Sequence, residues 1–173
     1  MHIRKALVED ASAIAKVHVD SWRTTYKGIF SNSYLDSLSY EKRTALWENN
    51  IGKKDDYVVV AETDSGDIIG FGTASKRDTN TVDRSGDLTS IYLLEEYQGQ
   101  GIGKMLLKEL FLHFKKLGYK RIFVEVLEDN KTRYFYEHYG AKLVNTVQLN
   151  WDEKILNELI YEWDDLNDVL EKL

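Results

Sequence analysis

The chain has 173 residues, 43% of them hydrophobic and 12% aromatic, enough apolar surface to close one core, so a single domain over 1–173 is expected and disorder is argued against. Its 29 acidic and 23 basic residues leave a net charge of −6, which offers no positive field to nucleic acid or an anionic membrane and leaves a cationic partner as the weaker corollary. Without a single cysteine, the chain has no disulfides, no thiolate-ligated metal and no mechanism that needs an enzyme thiolate.

His2 to Ala6 reads as a short first strand. Glu9 and Asp10 stand as an N-cap pair ahead of a helix that carries Ala11, Ile14, Val17, His18 and Trp22 on one face and runs to about Lys27 and Gly28. A second helical stretch, about Asn32 to Asn50, places Leu35 and Leu38, then Leu46 and Trp47 after a break near Ser39, at helical spacings. The valine-rich run Tyr57 to Ala61, the turn at Asp64 to Asp67 and the run Ile68 to Ala74 make a hairpin.

A polar loop from Lys76 to Gly86, mobile in character, leads to a third strand candidate, Leu88 to Leu94. That strand enters a glycine cluster opening a helix from about Gly101 to Leu117, with Ile102, Met105, Leu106, Leu110 and Phe114 inward. Gly118 closes the helix and Arg121 to Val126 follows as a strand, a strand–helix–strand crossover. A compact helix from Asn130 to Tyr139 stops at Gly140. Two last strands, about Lys142 to Leu149 and Ile155 to Trp163, flank a turn around Asp152 and Glu153, and a terminal helix follows Asp164. The order is β-α-α-β-β-β-α-β-α-β-β, a mixed α+β chain with neither repeat nor linker.

The most informative segment is Tyr97-Gln98-Gly99-Gln100-Gly101-Ile102-Gly103-Lys104, where alternating glycines hand a strand to a helix. Such a turn leaves backbone N–H groups bare at the positive end of a helix dipole, an arrangement suited to a phosphate or diphosphate. A P-loop would need glycine at position 98 and Ser or Thr at 105, where Gln98 and Met105 stand. A dinucleotide fingerprint would need glycine at 104, which is Lys104.

What fits is Gln/Arg-x-x-Gly-x-Gly/Ala, filled by Gln98, Gly101 and Gly103, and here the sequence resembles the GNAT superfamily of N-acetyltransferases. Ile91 to Tyr97 looks like that family's strand before the motif, with Glu95 where a proline is common, and Asn130 to Gly140 resembles its downstream Asn…Phe-Tyr-Glu…Gly segment. The resemblance implies a mostly antiparallel twisted sheet of six to seven strands flanked by helices. It implies acetyl-CoA as co-substrate, its diphosphate held by Gly99 to Lys104 (Gly99, Gln100, Gly101, Ile102, Gly103, Lys104) with Gln98 bracing the start. The pantetheine arm would pair with Ile91, Tyr92 and Leu93 where that strand splays from Val124 to Leu127. Asn130 and Arg133 match cofactor-facing positions, and Lys104 and Lys108 lie one turn apart toward the phosphates.

Tyr136 matches the family's tyrosine near the CoA sulfur and is assigned as general acid, while Asp87 and Glu125 are rival bases for the incoming amine. Ser21 to Tyr26 and Trp151 are candidate walls for the acceptor, and Trp22 and Tyr26, one turn apart, could hold an ammonium between their rings. A small-molecule amine is the expected acceptor: a polyamine, an amino acid or an aminoglycoside. A protein N-terminus or lysine is the alternative acceptor, and a CoA-binding module without catalysis is the competing class. Pairing of family members through terminal strands makes a homodimer an expectation. His2, His18, His113 and His138 lack metal-ligand spacing, so no metal site is expected. No apolar run reaches the roughly 20 residues of a membrane helix, and Met1 to Ala6 lacks a signal peptide's apolar centre, so a cytoplasmic protein is expected.

Overall fold

The computed structural model describes residues 1–151 and 153–173. Its seven strands, β1 (His2–Lys5), β2 (Tyr57–Glu62), β3 (Ile68–Ser75), β4 (Ser85–Leu93), β5 (Arg121–Leu127), β6 (Lys142–Trp151) and β7 (Lys154–Trp163), form one sheet in the order β1-β2-β3-β4-β5-β7-β6. Every neighbouring pair is antiparallel except β4 and β5, which the crossover helix α4 (Ile102–Lys116) joins. The expected turn between the last two strands includes Asp152, which lies outside the described residues.

The parallel pairing is short and decides where the site lies. Ser85 to Leu88 pair with Arg121 to Val124, and no pairing follows. Beyond that point β4 stays with β3 as far as Leu93 opposite Gly70, while β5 stays with β7 as far as Leu127 opposite Glu158. A register shift at Thr73 and Ala74 bends the β3–β4 ribbon at the height where β4 leaves β5. The sheet therefore opens into a V in its middle.

Helix α4 closes one face of the sheet. Ile102, Leu106, Leu107, Leu110, Phe111 and Phe114 are buried along it, each contributing about 1.5–3 kcal/mol of transfer free energy. It sits close because β3 and β4 carry glycine beneath it: a Cβ on Gly72 would lie 2.7 Å from Leu110 Cδ1, and one on Gly86 would lie 2.6 Å from the Phe114 ring. Helices α1 (Ala11–Thr25) and α3 (Tyr40–Asn50) cover β1–β4 on the opposite face, where Ile14, Ala15, Val17 and Trp47 pack on Val58, Val60 and Phe71. Three short helices complete the chain: α2 (Asn32–Asp36), α5 (Thr132–His138) and α6 (Leu166–Lys172). None of the helices is long and apolar enough to cross a membrane, among the described residues.

Several local expectations change. Asp10 does not cap α1 with its side chain; its carboxylate accepts from Leu7 N at 2.7 Å and pairs with Arg4, tying the first turn to β1. Met105 and Leu46 face solvent, because the stripes of their helices run through Leu107 and Phe111 and through Trp47 instead. The loop from Lys76 to Gly86 is pinned by polar contacts, and β4 begins inside it, at Ser85, so Asp87 is a strand residue and only 3% exposed.

Candidate active site

A cleft of ≈ 450 Å³ lies in the mouth of the V, where the cofactor is expected from sequence. Ile91, Tyr92 and Leu93 line one wall, Lys131, Thr132, Phe135 and Tyr139 the other, and Gln98, Gly99, Gly101, Gly103 and Lys104 the end. Gln98 Nε2 donates to Leu93 O at 3.1 Å, folding the turn back on the strand that precedes it. Gly99 and Gly101 have φ of +72° and +83°, a left-handed backbone that other residues adopt only at a cost of about 1 kcal/mol.

No side chain caps α4, so the first-turn N–H groups stay free at the positive end of a helix of 15 residues. A Cβ on Gly99 or Gly101 would meet nothing within 4 Å: the space against that backbone is open. Free donors, positive potential and room against the peptide plane fit a diphosphate. Lys104 adds charge at the same place. Lys108 instead reaches the Leu173 carbonyl oxygen, Gln100 donates to Glu96 O, and Ile102 is a core residue.

A second space lies behind the cleft walls. Ile91, Tyr92 and Thr132 also line a smaller cavity of ≈ 40 Å³ with Tyr26, Glu125, Asn130 and Tyr136. The Tyr26 and Tyr92 hydroxyls are 3.3 Å apart, and Asn130 Nδ2 reaches Tyr26 Oη at 3.5 Å while its Oδ1 accepts from Thr132 N, holding the start of α5 to α1. Tyr136 is 5% exposed and burial raises its phenol well above the ordinary value. The hydroxyl therefore keeps its proton throughout the neutral range.

A single face of β4, β5 and β7 carries the carboxylates. Asp87 pairs with Phe123 across the parallel ladder and Glu125 with Ile160 across the antiparallel one, so Asp87, Glu125 and Glu158 share a side of the sheet. Asp87 Oδ2 accepts from Arg77 N at 2.8 Å and Asn80 Nδ2 at 3.0 Å, and Oδ1 faces the Arg77 guanidinium at 3.3 Å. Those contacts commit Asp87 to the loop. Glu125 lines the cavity and lies 3.7 Å from Arg77 Nε. Burial first, and then Glu125, raises the Glu158 carboxyl above its usual range.

With this geometry in hand, the comparisons are specific. The sequence profile described as the acetyltransferase (GNAT) family matches residues 19–141. The chain belongs to the GNAT family. It is 36% identical over 165 residues to the uncharacterized N-acetyltransferase YuaI of Bacillus subtilis (95% of this chain, 94% of that one). To the spermidine N(1)-acetyltransferase of Thermoplasma acidophilum it is 31% identical over 152 residues (84% and 91%). The crystal structure of PaiA N-acetyltransferase from Thermoplasma acidophilum in complex with coenzyme A superposes with a TM-score of 0.79 at 29% identity, covering 94% of this chain and 98% of that one. The protein is thus an N-acetyltransferase of GNAT type, and the sheet, flanking helices and splayed central strands are the GNAT fold.

Of the residues proposed from sequence, the GNAT cleft and its inner cavity bring together Ile91, Tyr92, Leu93, Gln98, the three glycines and Lys104 with Tyr26, Glu125, Asn130 and Tyr136. Arg133 lines neither, since its guanidinium donates to Tyr134 Oη and lies over that ring at 4.6 Å. Trp22 packs on Tyr26 with centroids 4.6 Å apart and stacks on Phe30. Thr25, expected on the acceptor side, lines the cofactor cleft, and Trp151 lies against Phe30 and Tyr34. Sequence reasoning missed Lys131, Thr132 and Tyr139 as cleft walls, although all lie on or next to α5. It also missed Arg77, for which no local pattern exists. Among the described residues, no group of three His, Cys, Asp or Glu is placed to hold a metal ion.

Proposed function

We propose that the protein transfers an acetyl group from acetyl-CoA directly to a primary amine of a small cationic acceptor, with both substrates bound together. The observation that carries this is the shared wall of the two spaces: a phosphate-sized turn of free N–H groups ends a cleft whose Ile91, Tyr92 and Thr132 also line a cavity with Tyr136 and Glu125. The diphosphate lies on Gly99 to Lys104, and the thioester reaches the point where β4 and β5 part.

The amine nitrogen attacks the thioester carbonyl, the C–S bond breaks, and two protons move. Glu125 takes the proton from the amine, directly or through one water. Tyr136 gives its hydrogen to the departing sulfur; its raised pKa makes it a strong keeper of that hydrogen, so hydrogen bonding to the developing thiolate supplies the help more than full transfer does. Tyr26, Tyr92 and Asn130 fix the shape of the cavity between them. An acceptor with several positive charges is supported by the carboxylates on the open sheet face and by the relatives named for spermidine. Homodimer formation fits strand β6, whose length is exposed apart from Leu149 and which offers Leu143, Val144 and Val147 at the edge of the sheet.

Thiol release from acetyl-CoA across a panel of diamines, polyamines, amino acids and aminoglycosides tests the reading. Acceptor-dependent release with a diamine or polyamine at saturating acetyl-CoA is the expected result. Tight acetyl-CoA binding without release for any amine would leave a CoA-binding module and remove the catalytic assignments.

A further inference from the structure

Arg77 has no part in the transfer chemistry described above. It follows β3 in the loop to β4, yet its side chain reaches β4 and β5: Nη1 is 3.3 Å from Asp87 Oδ1 and Nε is 3.7 Å from Glu125 Oε2. Nη1 is buried and makes no aligned hydrogen bond. A guanidinium that leaves a buried donor unbonded is held by charge more than by bond geometry. The titratable groups of this region are Asp87 on β4, Glu125 on β5 and Glu158 on β7, with the cavity phenols of Tyr136 on α5, Tyr92 on β4 and Tyr26 just after α1. Its positive field acts on the Tyr136 phenol and on Glu158, and Glu158 in turn acts on Tyr26.

Without a cation, Glu125 and Glu158 would be two like charges on adjacent strands, partly out of water. Like charges at that spacing resist joint ionisation. Asp87 cannot relieve them, being spent on Arg77 N and Asn80. We propose that Arg77 is a positioning residue of the acceptor half: wedged between Asp87 and Glu125, it holds the Glu125 carboxylate at the cavity, beside Glu158. Once Asp87 and Arg77 neutralise each other, Glu125 and Glu158 remain as two net negative charges. The matching acceptor is a dication, with one amine group beside Glu125 to react and a second ammonium for Glu158 to hold. This rests on the reading of Glu125 as base.

The test is the pH profile of kcat/KM for a diamine, 1,4-diaminobutane, at saturating acetyl-CoA, together with the acetyl-CoA KM. In Arg77→Gln the acid limb moves up by roughly one pH unit and kcat falls about tenfold, with acetyl-CoA KM within about twofold of wild type. Arg77→Lys restores the limb, because the charge remains, and only part of kcat, because an ammonium cannot bridge two carboxylates as a guanidinium does. Asn80→Ala removes a loop tie on Asp87 without changing charge and leaves the limb in place. Glu158→Gln moves the limb to lower pH in the parent protein, a measurement that stands even if Arg77→Gln does not fold. An unmoved limb in Arg77→Gln or in Glu158→Gln, or the same shift in Asn80→Ala, overturns the proposal while leaving acetyl transfer intact. No release from any amine by the wild-type protein removes both readings.

Discussion

The two ends of the cleft are made from different chemistry. At the cofactor end the binding surface is peptide backbone: a left-handed turn at Gly99 and Gly101 and the uncapped start of α4. Side chains there matter chiefly by being absent. At the proposed acceptor end the cavity presents side chains, the phenols of Tyr26, Tyr92 and Tyr136, the Asn130 carboxamide and the Glu125 carboxylate, with Arg77 between Glu125 and Asp87. On the proposed reading, one end can bind the same cofactor across many sequences. The other can change acceptor by changing a few residues, with the fold untouched.

The largest effect separating the two ends is expected at Tyr136, in the inner cavity. Tyr136→Phe keeps the ring that packs against Trp163 at 5.8 Å and removes only the hydroxyl. kcat should fall about 100-fold, at the lower end of what general acid–base groups contribute, while acetyl-CoA KM stays nearly constant. Steady-state kinetics with each substrate varied in turn reads both quantities. Wild-type turnover in the variant would remove the hydroxyl from the chemistry.

A second effect lies under the acceptor end. His18 is buried against Trp22, Trp47, Phe71 and Tyr92, and its Nδ1 accepts from Trp47 Nε1 at 3.1 Å. Burial, then the charge of Arg43, lowers its pKa from 6.5 to about 4. In the window between those values the unfolded chain binds more protons than the folded one, so stability rises with pH there and is lost as pH falls. Going from pH 7 to pH 5 should remove about 2 kcal/mol, or about 4–8 °C in Tm for a chain of this size. His18→Gln retains an acceptor for Trp47 and cannot titrate. Its Tm should fall less over the same range, by about that amount; parallel melting curves would show that this imidazole does not set the slope.

The same contrast explains what could be read from the sequence. Gln98, Gly101 and Gly103 were legible because a free-amide turn imposes residue types at fixed local spacing, and α4 because its apolar stripe is continuous. The seven strands followed from short apolar and β-branched runs bounded by turn residues. Arg77 was not legible, since its partners are 10 and 48 positions away and only the β4–β5 register brings them together. Asp87 looked free because the strand was expected to start after it, at Leu88; once β4 starts at Ser85 it becomes a buried residue that must be paired, and the loop's own Arg77 and Asn80 pair it. Arg133 carried a motif position but no information about which way α5 turns it.

The smallest of these effects bears most directly on the idea of a cofactor end indifferent to side chains. Gly101→Val puts a β-branched residue at φ of +83° and fills the open space against the turn. A left-handed conformation costs such a residue about 1–2 kcal/mol, which can be relieved only by moving the turn whose amides face the diphosphate, so acetyl-CoA affinity should drop about tenfold. Gln100→Ala, one residue away, deletes a side chain that points to Glu96 O and leaves the backbone path unchanged. It should change acetyl-CoA affinity less than about twofold. Titration calorimetry with acetyl-CoA measures both, and the acceptor KM should be the same in each. If Gln100→Ala weakened binding as much as Gly101→Val, the side chains of the turn would be contributing directly, and the division between a backbone end and a side-chain end would not hold.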